Sequence, residues 1–344
     1  MRIARLLQLV LCILAAACAN VRAEVELAPA QQAFRDQLAG KVAALEGRNA
    51  AAAVGKDGWL FLASELRFLA QGQFWGEGAA RAGRTRKGAS ADPLPAIADF
   101  HRQLGERGIR LLLVPVPAKA AILADKVGVD ATLTASESAP FQEAFYAELR
   151  RRGIDVLDLT PAFSGNNDQR GPVYCKTDSH WSGVGCSLAA QGIAQEIRKH
   201  LPEQPRNQYQ AEWKDISITG DLAALTGEAT KPAAEQISIS QVSGPVGPDA
   251  NSPVLVIGDS HTLVFHEFLA ERAGLIDQLA AELGFPVDLI GTRGSGATPV
   301  RVSMYRRSRS DPEFLAKKKV VVWCFAAREF TEADQGWVVQ PIAK

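Results

Sequence analysis

The sequence predicts an α/β fold, a three-layer sandwich in which helices cover both faces of a mostly parallel sheet. Short apolar runs such as Ile109–Val114 have the composition of strands that are buried on both faces. They alternate with segments of helical periodicity, as expected for parallel strands joined by crossover helices. With 344 residues and 47% hydrophobic content, the chain can bury a large core, which excludes disorder as its main state.

In the first half of the chain, helices and strands are predicted in alternation. The predicted helices are 28–46, 95–107 and 141–152; the predicted strands are 109–114 and 156–159, with a turn at 55–61 leading into an earlier strand. Residues 71–90 contain several glycines and are predicted to be a loop. Its basic residues form either a solvated surface or a contact for an anionic polymer. They are Arg81, Arg84, Arg86 and Lys87.

In the second half, Ser182 can cap a helix over 183–200, which Pro202 would stop. A more polar excursion over 203–250 follows. The remaining predicted elements are a strand at 254–257, a helix at 262–269, a strand at 286–291, a Gly-rich loop at 291–296 and a strand at 319–325. We therefore predict a helical arm at 24–52 and one α/β catalytic domain at 53–344.

Residues 1–23 have the features of a secretory signal. They contain Arg2, Arg5 and Arg22, no acidic residue, and a mostly apolar run over 6–17 that ends near a small-residue cleavage pattern at 21–23. The run of about twelve residues is short for a membrane span of ~20. An uncleaved anchor and a lipoprotein site at Cys18 remain as alternatives.

Charge and cysteine content limit the classes of ligand and the kinds of site that the chain is expected to have. Removal of the signal leaves 35 Lys and Arg against 38 Asp and Glu, so the net charge of about −3 gives no indication of nucleic-acid binding. In an oxidising compartment, Cys175 and Cys186 either form a disulfide around the segment between them or stay free. Cys324 is predicted to be a small core residue. No cysteine pair has zinc-site spacing, so we predict no metal and no cofactor.

Two short motifs that stand 80 positions apart contain a nucleophile, a base and an orienting acid. The first, Asp178–Trp181, places Asp178 and His180 on one face of an extended segment, because side chains alternate along a strand. The second begins at Gly258 and puts Ser260 where a buried strand turns into a helix. His180 would take the proton of Ser260, while Asp178 would receive the other ring N–H and fix the imidazole.

Each motif also has a simpler structural interpretation. A Gly-Asp-Ser sequence after a strand is often only a helix cap, and an Asp-x-His sequence is often only a surface turn. Together in one exported chain they favour catalysis, because each supplies what the other lacks. His261 adjoins Ser260 directly and is poorly placed to take its proton, so we predict that it lines the pocket or begins the helix.

An oxyanion hole needs hydrogen-bond donors aimed at the place where negative charge develops. The backbone N–H of Ser260 is one candidate, and the loop Gly294, Ser295 and Gly296 is another. Arg328 follows the last predicted strand and is either a substrate contact or a structural salt-bridge residue.

Six segments that span most of the chain form a recognisable set. They are Gly55–Phe61, Val114–Lys119, Thr177–Trp181, Gly220–Leu222, Gly258–His261 and Val322–Arg328. In sequence and order they resemble the alginate O-acetyltransferase family of the AlgJ and AlgX type, which is SGNH hydrolase-like.

The resemblance implies an SGNH hydrolase-like (flavodoxin-like) fold with permuted motif order, in which the Asp-x-His segment precedes the serine. Asp178, His180 and Ser260 match the family's triad. It also implies a periplasmic enzyme that acetylates exopolysaccharide hydroxyls, and the alternative of an uncleaved anchor would hold it at the inner membrane. A membrane-bound O-acyltransferase would supply the acetyl group, and other polysaccharide secretion proteins would be partners. The family's carbohydrate-binding C-terminal domain is not expected before Lys344, and no Asn lies in 285–305 to form the usual SGNH asparagine block.

Overall fold

The computed structural model describes residues 25–86, 88–130, 132–227 and 234–343. The predicted signal segment 1–23, with Cys18, lies outside these ranges, as does Lys87 of the basic loop. None of the helices within them combines the length and the apolar character that crossing a bilayer requires.

A five-stranded parallel sheet lies at the centre of the structure. The strands in chain order are β1 Ala52–Val54, β2 Leu60–Leu62, β3 Arg110–Val116, β4 Asp155–Val156, β5 Gln210–Ile218, β6 Glu235–Ser243, β7 Val254–Gly258, β8 Asp288–Gly291 and β9 Val320–Ala326. The central sheet has the order β4-β3-β9-β7-β8, and all four pairings are parallel. β9, which follows the others in the chain, therefore lies between β3 and β7.

Helices cover both faces of this sheet. The α-helices are α1 Pro29–Gly47, α2 Ala63–Ala70, α3 Ala79–Ala82, α4 Pro93–Gly105, α5 Lys119–Ile122, α6 Pro140–Arg151, α7 Thr160–Ser164, α8 Gly183–Arg198, α9 Leu275–Leu283, α10 Thr298–Ser310 and α11 Glu329–Glu332. Side chains of β3, β7 and β9 alternate between two cores. One core packs against α1, α2, α4, α6 and α10, and the other against α8 and α9. The predicted three-layer α/β fold with a parallel sheet is confirmed.

Two antiparallel strand pairs flank the central sheet. β1 pairs with β2, and β5 pairs with β6 over nine residues on each strand. The second pair occupies the polar excursion predicted at 203–250. Its outer strand is mostly exposed, which explains why the sequence there shows so few apolar residues.

The prediction of a helix over 262–269 is wrong. Ser260–Thr262 forms only one 3-10 turn, and the next α-helix begins at Leu275. Between them, Phe265, Leu269 and Arg272 have φ values of 62°, 64° and 59°, which an α-helix does not allow. The chain instead folds back on itself, with the N–H of Phe265 donating to the carbonyl of Phe268 at 2.8 Å. The β-branched and aromatic residues of 262–269 have modest helix propensity, so tertiary packing decides the shape of this segment.

The N-terminal arm packs onto the α/β core. Four side chains of α1 are buried there: Phe34, Leu38, Val42 and Leu45. Their spacing of three or four residues forms one helix face, and that face joins the core beside α2 and α6. The arm therefore contributes to the main hydrophobic core.

Two substitutions in α1 are expected to change stability in opposite directions. Leu38 is 0% exposed, so Leu38→Ala should lower the free energy of unfolding by about 2–5 kcal/mol. Gly40 is exposed, and a Cβ added there meets nothing within 4 Å, so Gly40→Ala should raise it by about 0.5–1 kcal/mol. Urea unfolding measures both. A Leu38→Ala loss below about 0.5 kcal/mol would show that the arm is not part of the cooperative core.

Candidate active site

The candidate site lies at the carboxyl ends of the central strands. β7 ends at Gly258 and leads into the turn 259–262, which we call the nucleophile turn. The segment 176–181, which we call the base loop, precedes α8. A bridge between Tyr174 and Trp181 closes this loop, so Asp178 and His180 lie on a tight hairpin. The hydroxyl of Tyr174 donates to the carbonyl of Pro117, just after the end of β3, so this hairpin lies at the same edge of the sheet as the nucleophile turn that follows β7.

The structure brings Asp178, His180 and Ser260 into one hydrogen-bonded row. His180 Nε2 lies 2.7 Å from Ser260 Oγ, and His180 Nδ1 lies 2.7 Å from Asp178 Oδ1. With the proton on Nδ1, the imidazole donates to Asp178 and accepts from the serine hydroxyl. Asp178 and His180 are buried, while Ser260 is partly exposed at the mouth of the site.

The carboxylate of Asp178 accepts hydrogen bonds on both of its oxygens. Oδ1 also accepts from the backbone N–H of His180 at 3.0 Å, and Oδ2 accepts from the backbone N–H of Asp221 at 3.1 Å. Burial alone would raise the pKa of Asp178, but the bonds from His180 and Asp221 outweigh it and lower that pKa. Asp178 is therefore ionised at neutral pH.

Asp221 holds the base loop, a role that the motif Gly220–Leu222 did not reveal. Its carboxylate accepts from the backbone N–H and the hydroxyl of Ser179, both at 2.7 Å. Asp178, His180 and Asp221 offer possible metal-ligand atoms within 4.8 Å of one another. Asp178 already bonds to His180, and Asp221 already bonds to Ser179, so hydrogen bonding accounts for the cluster.

A second buried carboxylate, Asp259, fixes the nucleophile turn. Oδ1 accepts from the backbone N–H of His261 at 3.0 Å, and Oδ2 accepts from the N–H of Ala326 at 2.7 Å, which ties the turn to the end of β9. Burial acts to raise the pKa of Asp259, but His261, Arg328 and the Ala326 N–H together lower it to about 2.

His261 is buried and bonds to Asp259, with 3.2 Å between Nδ1 and Oδ1. Its ring packs between two other rings, 5.0 Å from His180 and 5.1 Å from Trp181. Burial lowers the pKa of His261, which keeps the imidazole neutral at neutral pH. His261 therefore packs against the ring of His180, and it lies in a 3-10 turn and does not begin an α-helix.

Close backbone packing explains why Gly258 precedes the turn. A Cβ on Gly258 would lie 1.9 Å from the carbonyl oxygen of Cys324 on β9. A Cβ on Gly296 would lie 3.0 Å from the backbone nitrogen of Asp259. The Gly-rich loop therefore lies directly against the nucleophile turn, where the sequence predicted it.

The hydroxyl of Ser295 in that loop is already occupied, because it donates to the carboxylate of Glu329. Glu329 is buried, and desolvation raises its pKa to about 7. Gly294 is exposed and has a φ of +98°. Only backbone N–H groups of this loop are thus available as candidate oxyanion donors.

Arg328 is largely buried beside the site. Its Nη1 lies 3.5 Å from Glu65 Oε1 on α2. Burial acts to lower its pKa, but Glu65, Glu329, Asp259 and Asp221 raise it. Arg328 therefore remains charged and balances several buried carboxylates.

An aromatic side chain that carries an arginine above its ring packs against His180. The ring of Phe268 lies 5.6 Å from that of His180, and the guanidinium of Arg293 lies 4.6 Å above the ring of Phe268. Arg293 is exposed. The sequence pattern did not predict either contact, because Phe268 lies in a predicted helix and Arg293 in a loop that its glycines alone distinguish.

The disulfide considered between Cys175 and Cys186 is not formed. Both cysteines are free and buried, as is Cys324. The sulfur of Cys175 contacts the carbonyl of Trp181 at 3.4 Å, and that of Cys186 contacts the carbonyl of Ala273 at 3.7 Å. Burial raises the pKa of each thiol. The base loop is therefore held by hydrogen bonds.

Comparison with known families gives one match that covers most of the chain. The family model described as "SGNH hydrolase-like domain, acetyltransferase AlgX" matches residues 52–327. "Probable alginate O-acetylase AlgJ" of Pseudomonas aeruginosa is 31% identical over 157 residues, 45% of this chain and 36% of that protein. AlgJ of Pseudomonas putida is 24% identical over 318 residues, 83% and 74% of the two chains. For the AlgJ proteins of P. aeruginosa and P. syringae, the match spans only about a third of their length, 36% and 34%.

Solved structures share the fold at lower identity. The O-acetyltransferase domain of P. putida AlgJ aligns with a TM-score of 0.60 and 23% identity over 82% of this chain and 92% of that domain. P. aeruginosa AlgX aligns with a TM-score of 0.56 and 20% identity over 87% and 66% of the two chains. At these identities the likeness establishes the SGNH hydrolase-like fold.

The depressed pKa of Asp259 predicts a pH-dependent contribution to stability. A carboxyl whose pKa falls from 3.8 to about 2 on folding stabilises the fold above about pH 4 and loses that effect as pH falls through about 2. We expect Asp259→Asn to lower the free energy of unfolding by about 2 kcal/mol near neutral pH, with the difference shrinking below about pH 4. Urea unfolding over this pH range measures it.

The matched control is the exposed Asp36→Asn on α1, which we expect to change the free energy of unfolding by less than about 0.5 kcal/mol at every pH. A deficit in Asp259→Asn that does not vary with pH would contradict the assignment of ionised, hydrogen-bonded Asp259.

Proposed function

The chain belongs to the SGNH hydrolase-like acetyltransferase family of AlgX, and from this membership we propose that it is a periplasmic O-acetyltransferase that moves acetyl groups onto hydroxyls of an exopolysaccharide. The observation that carries the proposal is the pair of 2.7 Å contacts that His180 makes with Ser260 and Asp178. These contacts have the geometry of an activated serine nucleophile.

In the first half of the proposed reaction, Ser260 Oγ attacks the carbonyl carbon of a donor acetyl ester while His180 Nε2 takes the hydroxyl proton. The ionised carboxylate of Asp178 stabilises the imidazolium that forms. His180 then returns the proton to the departing oxygen of the donor, whose bond to the acetyl carbon breaks. Ser260 is left as an acetyl ester.

In the second half, a sugar hydroxyl attacks the acetyl-serine while His180 takes its proton. The bond between Ser260 Oγ and the acetyl carbon breaks, and His180 returns the proton to Ser260. The product is an acetylated sugar and the free enzyme. Water in place of the sugar would make the protein an acetylesterase, so the outcome depends on which hydroxyl the site positions at the acyl carbon.

For the oxyanion we propose the backbone N–H of Ser260 as one donor. The N–H groups of Gly294, Ser295 and Gly296 are candidates for the second, because this loop packs against the nucleophile turn. Arg328 would act at longer range through its charge.

The partners follow from the family. Relatives carry the name alginate O-acetylase, and we propose that this chain likewise acts on an exopolysaccharide. A membrane-bound O-acyltransferase would supply the acetyl groups, and other secretion proteins of the polysaccharide would be neighbours in the periplasm.

Replacement of the nucleophile tests the reaction directly. Wild-type protein and Ser260→Ala are incubated with an acetyl ester reporter, with and without oligosaccharide, and both protein and sugar are analysed by mass spectrometry. We expect an acetyl adduct on Ser260 of the wild type and acetylated sugar as product, with turnover at least roughly 10⁴-fold lower in Ser260→Ala.

The products also separate the alternative functions. Free acetate without acetylated sugar would indicate a polysaccharide acetylesterase. Undiminished turnover in Ser260→Ala would exclude the triad. Absence of turnover and of adduct in the wild type would favour a noncatalytic scaffold in a secretion complex.

The role of Asp178 has a matched control within the same chain. Asp277, which is buried, forms a third Asp–His pair with the half-buried His266, whose Nδ1 lies 2.9 Å from Asp277 Oδ2. Asp178→Asn should lower kcat by roughly 10³–10⁴-fold, because the imidazole loses its orienting acceptor. Asp277→Asn should leave kcat within about threefold of the wild type. Equal losses in the two variants would show that Asp178 acts only through stability.

A further inference from the structure

Lys119 is a buried cation that the proposed reaction does not use. It ends the segment Val114–Lys119, which begins inside β3, and it is 0% exposed. A lysine is almost never fully buried unless its ammonium is well bonded. Its placement beneath the base loop therefore needs an explanation.

The ammonium of Lys119 bonds to the main chain of the base loop. Nζ donates to the carbonyls of Lys176 and Asp178, each at 3.1 Å. It also lies over two aromatic rings, 5.3 Å from that of Trp59 and 5.5 Å from that of Phe61. These rings fix the lysine in place and favour its charged form.

Side chains hold the remaining polar groups of this segment. Glu235 accepts from the backbone N–H groups of Lys176 at 2.6 Å and Thr177 at 3.0 Å, and Asp221 accepts from that of Ser179. The carbonyl of Lys176 also accepts from the N–H of Leu60 at 3.0 Å. The bond from Lys119 to the carbonyl of Asp178 is thus the one whose loss should matter most.

We propose that Lys119 is a positioning residue, whose ammonium anchors the backbone carbonyl of Asp178 and so holds the Asp178–His180 hairpin in register with Ser260. This inference rests on the proposed function. Lys119 is fully buried, so it acts through the base loop and does not touch substrate. A shift of about 1 Å in catalytic geometry lowers rates by roughly 100-fold, which sets the scale of the expected effect.

Protonation of Lys119 gives this arrangement a dependence on pH. Burial lowers its pKa to about 8, opposed by Glu65 on α2, Glu235 on β6, and Cys175 and Asp178 beside the base loop. Above this pH the lysine loses its charge, and its bonds to the two carbonyls weaken. Wild-type kcat should therefore decline with a midpoint near pH 8.

The test compares Lys119→Met with Lys318→Met. Lys318 is a similarly buried lysine just before β9, at the amino ends of the strands and so opposite the candidate site. Its Nζ donates to the carbonyls of Ala250 at 2.9 Å and Ser252 at 3.0 Å and to Asp288 at 2.7 Å. Amide hydrogen exchange of the peptide 176–181 reports on the base loop independently of any reaction. Turnover of the acetyl ester reporter, measured across pH, reports on function.

In Lys119→Met we expect exchange in 176–181 to be at least about tenfold faster and kcat to be about 10–100-fold lower, with KM within about twofold. The alkaline decline near pH 8 should disappear. Lys318→Met should retain the wild-type exchange in 176–181 and the wild-type pH profile. If Lys119→Met does not fold, Lys119→Gln keeps a neutral donor and should show smaller changes in the same direction.

Unchanged exchange in 176–181 of the Lys119 variants would overturn the proposal. So would equal losses in Lys119→Met and Lys318→Met with faster exchange across the whole sheet, because both lysines would then act only on global stability. Failure of the proposed function has a different signature, namely no turnover and no Ser260 adduct in the wild type, and the exchange result still decides the role of Lys119.

Discussion

The buried charge of Asp178 is the constraint that organises the site. A carboxylate removed from water is tolerated only when hydrogen bonds replace its hydration. Here the imidazole of His180 and two backbone N–H groups supply them. Supplying these donors requires a tight hairpin, and the hairpin itself must then be held by the side chains around it. The orientation of His180 toward Ser260 is the result of that chain of requirements.

Ser260, the proposed nucleophile, is held by a similar arrangement. Asp259, also buried and ionised, bonds to both its own turn and the end of β9, while Arg328 balances its charge. Each half of the site thus has its own buried carboxylate, anchored to a different part of the fold. The hydrogen bond between His180 and Ser260 joins the two halves, and the ring of His261 packs against those of His180 and Trp181. Small displacements of either half therefore change the contact on which the proposed reaction depends.

The sequence predicted what local patterns encode. Apolar runs located the strands of the central sheet, and the position of Ser260 after β7 followed from one of them. Contacts between segments that lie far apart in the sequence were not predictable in this way. Phe265 and Leu269 adopt positive φ values where the pattern indicated a helix. Asp221 and Lys119 reach the base loop from distant segments. Nothing local in the sequence records such partners, although both residues lay in segments that the family resemblance had marked.

The position of β9 has a consequence for how the chain acquires its structure. β9 joins β3 and β4 to β7 and β8, yet it follows all of them in sequence. Until it has been synthesised, the two halves of the sheet lack their common neighbour, and each presents an unpaired strand edge. We therefore expect the central sheet to form only after the C-terminal part of the chain has been synthesised, through contacts of high sequence separation. If the chain is exported, as its proposed periplasmic location requires, this delay would favour an unfolded state during export, and the exposed strand edges would need a chaperone to cover them.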